Sequence, residues 1–384
     1  MNIDLRVRNG RVIDPARGLD RIMDVGALDG KIVDIRDRAV EVDRARDIDA
    51  GGCLVLPGLI DHHVHVFGKG SGLSIDHPDL LLSSGVTGAV DAGSSGCAAF
   101  ESFYRTAVLN SRVKTKCYLN AFTGGQLDFA ITENFDPVLY NEKSIARLRE
   151  RHPDVILGLK LRTSAVVVKD LGIRPLLEIK AMCKRIGGFP LCVHVTDPPF
   201  PMQRLAEALD RNDIFCHVYG HGKETILGPD QKVLPAVREA RKRGVVFDGA
   251  NGRNNFSFAV ARPAIAEGFI PDIISTDATR EKLHLPPHVK NLPSLMSKYL
   301  MLGCPLESVV KMVTETPARM MGMEGGIGTL SPGACADIAI LQEIQKDVAF
   351  EDSLGERMTG HRLLIAKMTI SDGEVVYSAG DFHV

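Results

Sequence analysis

Short apolar runs alternate with amphipathic stretches through the middle of the chain. The runs fall at 59–65, 88–91, 115–121, 155–161, 191–195, 214–218, 245–248 and 273–276. Apolar runs of this length, rich in Val, Ile and Leu, predict buried strands. Helical patterns lie between them, as at 174–185 and 233–243, the second closed by Gly244 as a C-cap. Strands alternating with helices predict βα units and a parallel sheet. Eight such units over about 270 residues match the size of an α/β fold of the (β/α)8 TIM-barrel type.

The two ends have a different texture. Leu5-Arg-Val-Arg8 and Arg11-Val-Ile-Asp14 flank Asn9-Gly10, which predicts a hairpin. Asp29-Gly30, followed by Lys31-Ile-Val-Asp-Ile35, predicts a second. Strand-like segments return at Ala336–Leu341 and Lys367–Ile370, with Asp372-Gly373 and Glu374-Val-Val-Tyr377 after them. We therefore expect a small β-sandwich built from both termini, residues 1–57 and 328–384, around a barrel at 58–327.

Composition narrows the partners. The chain has 384 residues, 45% of them hydrophobic, and a net charge of −2. Neither nucleic acid nor a membrane surface is expected to bind it. No apolar run is long enough to span a bilayer, and the first residues lack a secretory pattern. Eight scattered cysteines with no Cys-x-x-Cys spacing predict reduced, buried thiols and a cytoplasmic location.

Barrel enzymes carry their chemistry at the C-terminal ends of the strands, and that rule sorts the polar residues. In Asp61-His62-His63-Val64-His65, period two puts His63 and His65 on one face and His62 on the other. Lys160 lies in the fourth run, His194 in the fifth, His217 in the sixth and Asp277 after the eighth. Buried Lys and Asp demand partners, and five such positions at strand ends of one barrel point jointly to a metal site. Four imidazoles and one aspartate can hold two Zn²⁺ ions about 3.5–4 Å apart, but they need a bridge. An ammonium has no lone pair to offer. A desolvated, neutral lysine can instead take up carbon dioxide as an anionic carbamate with one oxygen for each metal. Lys160 is therefore expected to be carboxylated, with a hydroxide as the second bridge. Asp277 would take the proton of the attacking water and return it to the leaving group.

With these pieces in place the chain resembles the amidohydrolase superfamily. The matching residues are Pro57-Gly58-Leu-Ile-Asp61-His62-His63-Val64-His65, Lys160, His194, His217, Ser275-Thr276-Asp277 and the Gly328–Asp337 stretch. The resemblance implies a binuclear centre. His63, His65 and Asp277 would hold the more buried metal, His194 and His217 the second, and carboxylated Lys160 would bridge them. It also implies a homo-oligomer. Gly158-Leu-Lys-Leu-Arg162, Val193-His194-Val195 with Pro198-Pro199, Asn255-Phe-Ser-Phe258 and Gly85–Ser94 resemble the dihydroorotase-like branch. That branch implies deacetylases or esterases of acylated α-amino or α-hydroxy acids.

A substrate carboxylate wants an arginine. Arg162 shares the face of Lys160 and is our first choice for substrate binding, with Tyr219 and Asn251 as hydrogen-bonding candidates. Arg253, Arg280 and His221 lie on loops near strand ends. His77, His152, His284, His288, His361 and His383 have no strand-end context. The alternative is a cyclic-amide hydrolase of the dihydroorotase or hydantoinase kind. Against it, Phe67 stands where dihydroorotases usually carry a substrate-binding arginine. A non-catalytic scaffold is the third reading, disfavoured because all six ligands are present.

Overall fold

The computed structural model describes residues 3–33, 46–128, 130–281 and 291–382. The strands are β1 (Leu5–Arg8), β2 (Arg11–Asp14), β3 (Leu19–Ile22), β4 (Val25–Leu28), β5 (Lys31–Val33), β6 (Arg46–Asp49), β7 (Cys53–Pro57), β8 (Leu59–Val64), β9 (Val86–Gly96), β10 (Lys114–Asn120), β11 (Ile156–Arg162), β12 (Leu191–His194), β13 (Ile214–Cys216), β14 (Val246–Asp248), β15 (Ile338–Glu351), β16 (Arg357–Ser371) and β17 (Glu374–Ser378).

β8 to β14 pair in sequence order as a curled, parallel seven-stranded sheet. The eighth predicted run closes the ring without a ladder of its own. Ile273 bridges Asp248 of β14, and Ala278 bridges Val64 of β8, both in parallel. The strand residues divide by parity between two apolar clusters. Leu59, Ala89, Leu119, Val193, Phe215, Phe247 and Ile274 pack against the helices, including Arg174–Arg185 and Pro235–Arg243. Ile60, Val90, Tyr118, Cys192, Ile214, Val246 and Ile273 fill the lumen. This is the period of two expected of a strand buried on both faces. Gly244 caps its helix with φ 95°, a conformation in which glycine carries no Cβ penalty.

The termini supply two further sheets, ordered β5-β4-β1-β6 and β17-β16-β15-β7-β2-β3. Leu5, Val7 and Ile48 of the first share one core with Val12, Val55, Ile338 and Ile370 of the second. The Asp29-Gly30 hairpin forms as expected, although Asp34 and Ile35 lie outside the described residues, and Asp372-Gly373 turns β16 back into β17. The Asn9-Gly10 hairpin does not form. β1 pairs with β4 and β6, and β2 with β3 and β7, so Asn9 at φ 64° turns the chain from one sheet into the other. A Cβ at Gly10 would lie 2.3 Å from Val55 Cγ2, so this glycine answers a close approach between the sheets.

Candidate active site

Every residue expected to ligate metal lies at the C-terminal rim of the ring. His63 is the penultimate residue of β8 and His65 lies just beyond it; Lys160 is in β11, His194 ends β12, His217 follows β13, and Asp277 lies in the closing segment. That segment is clipped to β8 by Asp277 N–H donating to His63 O (2.8 Å) and His65 N–H donating to Ala278 O (3.0 Å). His217 (φ 62°) and Asp277 (φ 50°) are in the left-handed region, which an L-residue adopts only where its surroundings enforce it. Buried Asp61 anchors the segment by accepting from Thr276 N–H and its hydroxyl, and burial lifts its pKa to about 7.

Asp277 Oδ1 is 3.4 Å from His65 Nε2 and 3.7 Å from His63 Nε2. Lys160 Nζ is 3.2 Å from His63 Nε2. The His217 ring lies 5.2 Å from His63 and 4.2 Å from His194, centre to centre. All six predicted ligands are thereby brought together, and four of them, with Asp277, line one cavity of about 520 Å³. Burial, then the neighbouring Lys160 charge, pushes the His63 pKa well below its usual range; burial, then His217, does the same to His194. Both imidazoles are neutral and keep a lone pair for a cation.

Burial opposes the charge of Lys160, but Cys192, Cys216, Asp277 and Asp248 together outweigh that and hold its pKa above the ordinary value. In the metal-free chain Lys160 is an ammonium set among potential anions. Dications beside it would reverse the balance.

Three imidazoles have an acceptor behind Nδ1. Asp248 Oδ2 stands 3.4 Å from His63 Nδ1, the Ser94 hydroxyl 2.9 Å from His65 Nδ1, and Ala250 O 2.7 Å from His217 Nδ1. Asp91 accepts from the Ser94 hydroxyl and from Ser94 and Val66 N–H groups. Asn255 Nδ2 donates to Asp277 Oδ2 at 3.0 Å. The sequence reading gave no role to Asp91, Asp248 or Asn255. The first two were visible as carboxylates ending the second and seventh strands. Asn255, in an irregular loop, had no strand-end signal and stood out only within the Asn255–Phe258 stretch that carried the resemblance.

The substrate side differs more from expectation. Arg162 lines the cavity but is already paired with buried Glu133 (3.0 Å). Tyr219 is fully buried in the core and its hydroxyl donates to Phe269 O, so it does not reach the cavity. Asn251 borders a separate cavity beside the 346–353 segment. Arg253 pairs with Glu281 and Arg280 with Asp76, whereas His221 does line the cavity. Phe67 packs edge-on against Phe103, away from the cavity, and His62 against Tyr118. Of the unassigned histidines, His77, His152 and His361 face Asp79, Glu101 and Asp347, while His284, His288 and His383 lie outside the described residues.

No helix among the described residues is long and apolar enough to cross a membrane. The amidohydrolase family model matches residues 301–377. A deacetylase of Agrobacterium fabrum is 31% identical over 353 residues, covering 91% of this chain and 85% of that protein. The solved structure of an adenine deaminase superposes with a TM-score of 0.87 at 26% identity, covering 98% and 100% of the two chains. That of a dihydroorotase superposes with a TM-score of 0.87 at 28% identity, covering 98% and 99%. The chain is a hydrolase and belongs to the amidohydrolase superfamily, within its deacetylase- and dihydroorotase-like members.

Proposed function

We propose that the protein is a two-zinc hydrolase that cleaves the amide or ester bond of small acylated α-amino or α-hydroxy acids. The observation that carries the metal reading is the set of acceptors behind Nδ1 of His63, His65 and His217. Hydrogen bonds fix the rings of His65 and His217, and Asp248 stands behind that of His63, as outer partners do for metal-ligating histidines. The donor set fits: His63, His65 and Asp277 place ligand atoms within 4.8 Å of one another, all buried. His194 and His217 would take the second ion, with Lys160 between the two as a carbamate. Bound zinc would supply Lewis-acid polarisation of the scissile carbonyl and a water acidic enough to lose a proton near neutral pH.

The chain's own residues do the rest. Asn255 holds Asp277 Oδ2, which leaves Oδ1 facing the two histidines. From there Asp277 accepts the proton of the attacking water and passes it to the leaving nitrogen or oxygen. A guanidinium has five N–H donors, so Arg162 can hold Glu133 and still meet a substrate carboxylate. We read the two terminal sheets as a β-sandwich from residues 1–57 and 328–384, carried by the barrel at 58–327.

The test is a hydrolysis panel on the zinc-loaded protein. It sets N-acetyl-D- and L-amino acids and acetylated α-hydroxy acids beside dihydroorotate and hydantoins. Acetate release with a stereochemical preference is expected. Ring opening alone would replace this reading with the cyclic-amide hydrolase, which the dihydroorotase neighbour favours.

A further inference from the structure

Two thiols lie directly under the histidine cluster. Cys192 is two residues before His194, and Cys216 immediately precedes His217. Both side chains belong to the lumen core, and their sulfurs are 3.2 Å apart. They form no disulfide. Lys160 Nζ is 3.8 Å from Cys192 Sγ. One nitrogen of His63 and the two sulfurs all lie within 4.8 Å of one another, a buried Cys₂His set. The superfamily reading uses neither cysteine.

We propose that Cys192, Cys216 and His63 form a second metal site, selective for thiophilic divalent ions of the cadmium class, at the floor of the active site. Soft ions prefer thiolates, whereas the imidazole and carboxylate set above suits zinc. Two sulfurs on one tetrahedral ion at about 2.3 Å or more stand roughly 3.8 Å apart. The present pair therefore needs to open by less than about 1 Å, which side-chain rotation on adjacent strands provides. Each bound ion takes the place of two thiol protons, which leave to solvent, while His63 contributes a neutral lone pair. No electron is transferred. The site rests on the reading of His63 as a zinc ligand in one respect. Because His63 cannot serve both ions, a cadmium ion on the floor displaces the more buried zinc.

The experiment adds Cd²⁺ to the zinc-replete protein and, separately, to protein stripped by a chelator. The expected result is one Cd²⁺ per chain with an ultraviolet sulfur-to-cadmium charge-transfer band. Two protons are released per ion from the stripped protein, and one zinc is released from the replete protein into a chromophoric chelator. Cys192→Ala and Cys216→Ala should each weaken the band at least twofold, and Cys304→Ala should leave it intact. X-ray absorption on the wild-type cadmium form needs no variant and should count two sulfurs around the ion. A shell of nitrogen and oxygen alone would overturn the proposal, as would a band unaffected by either substitution. A two-sulfur shell without zinc release would keep the thiolate pair but remove His63. A two-sulfur shell in a protein that hydrolyses nothing in the panel would overturn the proposed function and leave this site standing.

Discussion

What makes an imidazole a good ligand is decided by the atom behind it. Asp248 is fully buried, and in the metal-free chain burial raises its pKa to about 8; cations held beyond His63 would favour the carboxylate, the form that accepts from Nδ1–H. Its Oδ1 accepts from the Ser275 hydroxyl (2.7 Å) and Ala250 N–H (3.0 Å), which leaves Oδ2 facing His63 Nδ1. In Asp248→Asn the amide oxygen must take the place of Oδ1, because two donors already point there. The amide NH₂ then confronts His63 Nδ1 and favours the tautomer with its proton on Nε2. That proton occupies the lone pair a metal needs. Zinc affinity should fall about 10–100-fold, read by competition with a chelating dye, with the circular dichroism spectrum unchanged. Unaltered affinity would remove Asp248 from the metal site. At this scale the six ligands were legible because charged and imidazole side chains in apolar runs stand out. Tyr219 was misplaced because a position just past a strand end does not fix which way its side chain points. β13 stops at Cys216, and the left-handed His217 turns the residues after it onto other faces.

Among the elements, the C-terminal hairpin departs most from its sequence. Only 336–341 and 367–370 read as strands, yet β15 runs through Glu351 and β16 begins at Arg357. Much of the added length, 342–349 and 357–362, is polar or charged and partly exposed, so no apolar alternation marks it; cross-strand pairing such as Gln345 with Arg362 and Phe350 with Met358 holds it instead. The hairpin leaves the terminal sheet and packs Leu364 and Phe350 into the core around the barrel. Its tip reaches the active site. Ser353 lines the cavity of the histidine cluster, its hydroxyl accepts from Phe256 N–H (3.1 Å), and its own N–H donates to Phe256 O (3.0 Å). Buried Asp352 accepts from the N–H groups of Phe258, Leu354 and Glu356. The tip thus latches the loop that carries Asn255, and Asn255 holds Asp277. Asp352→Ala strands three donors and should cost about 1–3 kcal/mol locally. Amide exchange at 352–358 and 256–258 should speed up at least tenfold, with KM raised and the β9–β12 amides unaffected. An exchange pattern like that of the wild type would show that the tip does not latch the loop.

For the molecule as a whole, the chemistry lies at one end of the ring and the joint to the terminal sheets at the other. Pattern revealed the first end, since catalytic residue types at strand ends are conspicuous. It concealed the second, because Lys114 reads as an ordinary solvated charge ahead of a strand. Here Lys114, the first residue of β10, reaches Asp337 at 2.9 Å and Asp372 at 3.0 Å. Asp337 sits just before β15, and its Oδ1 also accepts from Asp372 N–H while its carbonyl accepts from Gly58 N–H. Gly58 is a glycine for want of room, since a Cβ there would lie 2.2 Å from Thr87 Oγ1. One ion cluster therefore ties the barrel to the C-terminal strands of the terminal sheets. Burial lifts the Asp337 pKa above the usual carboxylate range even with Lys114 beside it, so folding favours its protonated form and loses stability as pH rises. Lys114 opposes that loss by favouring the carboxylate. In Lys114→Met the Asp337 pKa climbs further, and the stability gap between wild type and variant must widen from about pH 5 to about pH 8. Breaking a fully buried pair costs roughly 3–5 kcal/mol, and partial solvation of Lys114 reduces this to about 2 kcal/mol at the higher pH. Urea unfolding at both pH values measures the gap. Adding Asp337→Asn to Lys114→Met should abolish its pH dependence, because the buried charge is gone. A gap equal at both pH values would mean that Lys114 joins the two parts by packing alone.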